Sequence, residues 1–313
     1  MAATKATLAR SGRMRGGGSG VVEAPGKRES VPLQPRAIWL VLGAATSVQF
    51  GAALAATLFD QLGPGGTVWL RLLFAALILL VLWRPRLSDR PAHELGLVVA
   101  FGLSLAVMNT GFYEALDRIP LGICVTIEFV GPLGLAVALS RRPLDGLWVV
   151  LAAAGILLLA HGTSGGLDGL GVLFALIAGS AWAVYILLSA RVGRTWGSGT
   201  GLAVAMAVGA VVMAPLGVVD GGGDLLHPAL LAQGAAVAVL SSAIPYSLEL
   251  EALRRIPAGV FGVLMSLEPA IAALAGFVVL GQDLVPREIA GIAAVVVASA
   301  GAARTARRPT VVD

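Results

Sequence analysis

The chain has 313 residues, of which 57% are hydrophobic and only 13% charged, with a formal net charge of +4 and a mean hydropathy of +0.88. Soluble globular chains carry roughly 25% charged residues, so this composition excludes an ordinary water-soluble enzyme, a nucleic-acid binder and a disordered scaffold. The single cysteine, Cys124, excludes an internal disulfide framework and a cysteine-based zinc cluster.

The expected class is an all-α polytopic membrane protein. Residues 1–35 are rich in Gly, Pro and basic residues and contain no apolar run, so they are expected to form a disordered basic tail. No apolar core follows the charges, and a signal peptide is not expected. From residue 36 the chain becomes a train of ten apolar stretches: 37–58, 67–83, 95–113, 120–139, 146–161, 169–190, 200–219, 229–249, 258–280 and 287–303. Each is about long enough to cross a bilayer at ~20 residues per helix. The connections are short and leave no room for a soluble domain.

Orientation follows from where Lys and Arg fall. The tail holds Lys5, Arg10, Arg13, Arg15, Lys27, Arg28 and Arg36. The connections after even-numbered helices hold Arg84, Arg86, Arg90, Arg141, Arg142, Arg191, Arg194, Arg254, Arg255, Arg304, Arg307 and Arg308. The opposite connections hold only Arg118 and Arg287, so both termini are expected in the cytoplasm, and the basic balance reflects topology without a nucleic-acid partner. Trp39, Trp69, Trp83, Trp148 and Trp196 fall near predicted helix ends, as interfacial residues do, whereas Trp182 falls mid-helix. Asp60, Asp168, Asp220 and Asp224 read as solvated outer surface. Gly43, Ser47 and Gly51 recur every fourth position in helix 1, the spacing of a close helix–helix contact.

One stretch occurs twice. EALDRIPLG begins at Glu114 and EALRRIPAG at Glu251, and the same offset carries Pro132 onto Pro269. The expected organisation is therefore two five-helix repeats, residues 36–163 and 168–304. An odd number of crossings turns the second copy upside down. Inverted repeats of this kind place a substrate site near the midplane, and helices broken by Pro are the pointer to it. Here those are helices 4 and 9, at Pro132 and Pro269.

Several stretches carry a family likeness: IPLGICVTIEFVGPL (119–133), SRRPLDGLWVVLA (140–152), SAWAVYILLSAR (180–191), AIPYSLE (243–249) and GVLMSLEPAIAAL (262–274). Over nearly all of residues 36–303 the chain resembles the drug/metabolite transporter superfamily, with two EamA-type repeats, and within it the threonine/homoserine exporter family. The resemblance implies a ten-helix carrier in the cytoplasmic membrane that exports small amino acids. Related exporters handle other metabolites and drugs on the same scaffold. The long basic tail departs from the pattern.

Ionisable groups within a membrane cost at least ~2.5–3.5 kcal/mol each, so each needs a reason. Arg71 in helix 2, Glu128 in helix 4 and Glu268 in helix 9 qualify, with Glu249 near the end of helix 8 as a borderline fourth. Glu128 stands four residues before Pro132, which has no N–H, so the Glu128 carbonyl loses its helical partner. A carboxylate and a free carbonyl together suit an ammonium group. Arg71 facing two carboxylates leaves one negative charge in excess, and one carboxyl is expected to exchange a proton for the amino group of a substrate. The alternative role for Arg71 is an ion pair that holds helices together. Gln49, Asn109 and Arg71 are candidate donors to a substrate carboxylate. Tyr113 lies one turn from Asn109, and Trp182, Tyr185 and Tyr246 are candidate walls.

No GxxxxGK[ST] or HExxH sequence occurs, and His93, His161 and His227 are isolated, so no cofactor, metal or catalytic activity is expected. The expected partners are a small-molecule substrate, the proton and the lipid bilayer. The readings beside the amino-acid exporter are a drug or metabolite exporter on the same fold and a passive channel.

Overall fold

Every regular element among the described residues is helical. The computed structural model describes residues 35–88, 90–139, 144–160, 167–196, 199–256 and 258–305. The expected tail at 1–35 lies outside them except for Pro35, as do Arg141, Arg142, His161, Arg307 and Arg308.

The first three spans are α1 (Pro35–Ala56), α2 (Phe59–Trp83) and α3 (Ala92–Leu116). The fourth is two short helices, α4 (Leu121–Glu128) and α5 (Val130–Ala138), followed by α6 (Leu144–Ala160), α7 (Gly169–Trp196) and α8 (Thr200–Gly221). The eighth consists of α9 (Pro228–Ala238), a π turn at Val239–Ala243 and α10 (Ile244–Leu253). The ninth is α11 (Ala258–Met265) and α12 (Glu268–Leu280), and α13 (Pro286–Thr305) is the last. Among the described residues nine spans are long and apolar enough to cross a membrane, and Gly146–Leu159 forms a shorter tenth apolar helix. The chain is thus a polytopic, all-helical membrane protein.

Two expectations need correction. Helix 2 begins at Phe59, well before residue 67, because the chain runs through Gly63-Pro64-Gly65-Gly66 as a kinked helix. Gly63 takes the kink in a backbone conformation open to glycine (φ 63, ψ 167), and Pro64 follows it, where a missing N–H costs little. Arg71 therefore sits in the middle of the span. The shift also carries Trp69 into the interior, where its indole donates to the Ala210 carbonyl at 3.1 Å. Trp69 is half-buried and Trp196 fully so, whereas Trp39 is 71% exposed as expected. The aspartates do more than meet solvent: Asp220 Oδ2 accepts from the Gly65 N–H at 3.1 Å, and Asp168 Oδ1 accepts from the Gly171 N–H at 2.9 Å, capping α7.

Packing pairs α2 with α8, α3 with α7, α6 with α13 and α1 with α10, while α4 crosses α12. Small residues set the approach. Gly43 faces Leu248, and a side chain on Gly51 would strike the Ser241 hydroxyl. The helix-1 glycines therefore serve the close contact their spacing predicts. Large apolar side chains such as Leu139, Val211 and Val219 stand outward, a surface suited to hydrocarbon. The sequence offset returns in the fold: α4 and α11 coincide end to end when 137 residues are added, as do the last residues of α3 and α10.

Candidate functional site

The broken spans converge on a cavity of about 610 Å³, within the usual size of small-molecule sites. Gln49, Arg71, Asn109, Glu128, Pro132, Trp182, Tyr185, Tyr246 and Glu268 all line it, and Glu249 joins them. Tyr113 stands outside the lining, and so does Pro269, which is buried at the start of α12.

The eighth span shows how local sequence builds the site. Pro245 has no N–H, so it leaves Ser241 O without an α-helical partner and Leu240 O without a π-helical one. Both carbonyls are taken up from outside the helix. Ser47 Oγ donates to Leu240 O at 2.7 Å, and Arg71 Nη2 donates to Ser241 O at 3.4 Å. Pro245 was not singled out from the sequence, although a proline inside an apolar span is the same signal that marked Pro132 and Pro269.

Arg71 is held from its other side by Tyr113. Nη1 donates to the Tyr113 hydroxyl at 3.4 Å, and the guanidinium carbon lies 5.6 Å from the ring centroid. Tyr113 is fully buried, with Phe59 and Phe112 rings against it at 5.6 and 5.7 Å. Its place is behind the arginine, supporting it.

No carboxylate pairs with Arg71 among the described residues. Glu128 lies within Coulombic reach of it, and Glu268 lies within reach of both Glu128 and Glu249. The cavity thus holds three carboxyl groups and one guanidinium with no direct ion pair. The ion pair of the structural reading is thus not formed among the described residues, and Arg71 instead joins α2 to Tyr113 on α3 and to Ser241 in the eighth span.

The Glu128 carbonyl lies close against α7. A side chain at Gly179 on α7 would collide with it, so glycine there lets the helix break and α7 approach closely. Glu128 itself lines the cavity.

Trp182 meets Phe129 edge-on at 5.0 Å, and Tyr185 packs on Phe101 at 5.1 Å, which fixes the aromatic wall. The Tyr185 and Tyr246 hydroxyls are neighbours. Asn109 Nδ2 already donates to Leu105 O at 2.8 Å, so half of its donor capacity is used within its own helix. Gln49 Oε1, Arg71 Nε, and the hydroxyls of Ser241 and Ser299 are buried without a partner among the described residues. Buried polar atoms are normally satisfied, and these four belong to cavity-lining side chains.

The cavity extends along Ser189, Leu253, Phe261 and Ala303, toward the helix ends that carry Arg191, Arg254, Arg255 and Arg304. At the other end side chains tie neighbouring helices together. There Gln282 Oε1 accepts from the Leu121 N–H at 2.9 Å, Asp220 holds Gly65, and Arg118 lies over Phe174 at 5.7 Å. Among the described residues no group of three or more His, Cys, Asp or Glu could hold a metal ion.

Residues 169–304 match the EamA-like transporter family. The chain is 43% identical to "Threonine/homoserine exporter RhtA" of Salmonella typhimurium (strain SL1344) and 41% identical to the protein of that name in Escherichia coli (strain K12). Each match covers 91% of this chain and 96% of the relative. A protein known by its crystal structure shares the fold, with a TM-score of 0.60 at 19% identity over 86% of this chain and 98% of that one. The fold, the helix breaks and these relatives agree: the chain belongs to the EamA-like transporters, in the family of the RhtA exporters.

Proposed function

We propose that the protein is a secondary active transporter of the cytoplasmic membrane that exports small amino acids of the threonine and homoserine type in exchange for protons. The observation that carries this reading is the cavity itself. It holds a guanidinium without a carboxylate partner, three carboxyl groups and unpartnered amide and hydroxyl oxygens around one space. A zwitterion with a short polar side chain complements that set: carboxylate to Arg71, ammonium to Glu128 or Glu268, hydroxyl to Gln49, Ser241 or Ser299. The relatives named as threonine/homoserine exporters support the same substrate class.

Alternating access is part of the proposal. Residues 36–163 and 168–304 act as two inverted repeats with both termini in the cytoplasm, so the face toward which the cavity extends is the cytoplasmic one. Packing supports the twofold relation, since the α3–α7 pair exchanges with the α10–α1 pair, and the α2–α8 and α6–α13 pairs each exchange with themselves. In this reading Gln282, Asp220 and Arg118 hold the outer face shut until substrate and proton have exchanged.

The test is exchange of labelled threonine in proteoliposomes, with and without a pH gradient, for wild type and Glu128→Gln. The expected result is saturable exchange that the gradient stimulates and the variant loses. Movement of another metabolite without threonine would overturn the substrate, and flux without saturation or counterflow would identify a channel.

A further inference from the structure

A second recess lies where the connection between α2 and α3 meets the end of α7, on the face that carries most of the arginines. It has a volume of about 540 Å³ and is lined by Arg84, Arg86, Arg90, Glu94, Trp196 and Thr200, with Pro85 between the first two arginines and Pro91 after the third.

Among the described residues three guanidinium groups share it with a single carboxylate, and that carboxylate is occupied. Arg90 Nη1 donates to Glu94 Oε2 at 3.0 Å and to the Thr195 carbonyl at 2.7 Å. Arg84 and Arg86 form no ion pair among the described residues.

The recess is built around these charges. Arg84 follows the last turn of α2 in the left-handed region (φ 41, ψ 61), as the only non-glycine residue with positive φ among the described residues. Glycine is the usual occupant of that helix-ending position, so an arginine there keeps its side chain against backbone preference, a departure of the kind that accompanies function. The two prolines stiffen the connection. Arg90 stacks on the Trp196 ring at 4.9 Å. Trp196 is 3% exposed, and its indole N–H has no acceptor among the described residues. Surplus guanidinium groups beside a carboxylate already engaged suit an anion with several oxygens, and the Trp196 ring holds Arg90 in place among them. The guanidinium fork matches phosphate in shape.

The surroundings indicate where that phosphate comes from. On α2, just before Arg84, Leu77, Val81 and Leu82 are 49%, 70% and 65% exposed, an apolar strip leading from the recess into the hydrocarbon belt. We propose that this recess is a phosphate-group site whose ligand is the headgroup of an anionic phospholipid, with its acyl chains lying along α2.

The test uses purified full-length protein in detergent, with phosphatidylglycerol, phosphatidylcholine and inorganic phosphate as probes. Bound lipid is counted by native mass spectrometry, and thermal protection is recorded alongside. The expected result is one phosphatidylglycerol per chain, held roughly tenfold more tightly than phosphatidylcholine. The Arg84→Gln/Arg86→Gln double variant should lose this preference. Arg86→Gln alone, which leaves the left-handed residue untouched, and Trp196→Phe should each weaken it, while Arg191→Gln, an exposed arginine elsewhere, should not. Protection by millimolar phosphate that depends on Arg86, without preference for phosphatidylglycerol, would overturn the lipid and assign free phosphate as the ligand. Indifference of both probes to Arg86 and Trp196, or an equal loss in Arg191→Gln, would overturn the site.

Discussion

Arg71 donates to the Tyr113 hydroxyl and to the Ser241 carbonyl, each at 3.4 Å, near the outer limit of a hydrogen bond. The guanidinium is positioned by these contacts without being saturated by them, and its Nε has no partner among the described residues. A hydrogen bond to a charged group contributes about 1.5–3 kcal/mol. Arg71→Gln is therefore expected to lower kcat/KM for exchange at least roughly tenfold. Arg71→Lys should not restore it, because an ammonium lacks the two-pronged geometry. Tyr113→Phe, which keeps the ring and removes one acceptor, should have a smaller effect. Initial rates in proteoliposomes check all three, and wild-type rates in Arg71→Gln would remove Arg71 from the site.

Two glycines of α5 should respond differently to the same substitution. A side chain on Gly131 would strike the Gly179 carbonyl, whereas Gly134 has nothing within 4 Å. Gly131→Ala is expected to destabilise the protein by about 1–3 kcal/mol through overpacking. Gly134→Ala should be neutral or stabilising by up to about 1 kcal/mol, from helix propensity. Thermal unfolding in detergent compares them, and equal shifts would contradict the close α5–α7 approach.

The bond from the Leu121 N–H to Gln282 ties α4 to the connection after α12 on the face opposite the cavity's extension, which the proposed mechanism keeps shut. Gln282→Ala leaves that buried N–H without an acceptor, at about 1–3 kcal/mol, and should favour states in which this face is open. Cys124, one turn further along α4, is buried and is the only cysteine in the chain. Its maleimide labelling should be slow in wild type and faster in Gln282→Ala. Unchanged labelling would show that this bond does not hold the face closed.

Pro245→Ala restores an N–H where the π turn relies on its absence. The Ser241 carbonyl then gains a competing helical donor, and Arg71 loses one of its two anchors. Stability should hold or rise while transport falls several-fold. Unfolding temperature and exchange rate, measured on one preparation, separate this outcome from simple misfolding, which would lower both.

Much of this arrangement was legible in the residues. Length and hydropathy located the ten apolar spans, and the duplicated EAL segment marked the two broken helices, because transfer into a bilayer leaves little freedom in either. Depth was harder. Gly63-Pro64 reads as a turn by composition, yet the chain absorbs it as a kink, which moved Arg71 to mid-span and Trp69 into the interior. The place of Tyr113 behind Arg71 was not legible, since helical spacing relates Tyr113 to Asn109 and says nothing about which neighbour it meets. Pro132 has no N–H to offer the Glu128 carbonyl, but the nearness of Gly179 depends on how α7 packs, a contact between residues far apart in sequence.

The two broken spans coincide in outline and differ in chemistry. The 137-residue offset carries Glu128 onto Met265, and it carries Gly131, three positions later, onto Glu268. One carboxylate thus ends the helix before its break, and the other begins the helix after its break. If the halves were exact copies, exchanging their roles would regenerate the same binding surface seen from the opposite compartment. Here the exchange moves the acid across the break. In the proposed alternating-access mechanism, sidedness is therefore written into the covalent sequence: half-saturation measured from the two faces should differ even in a symmetric buffer.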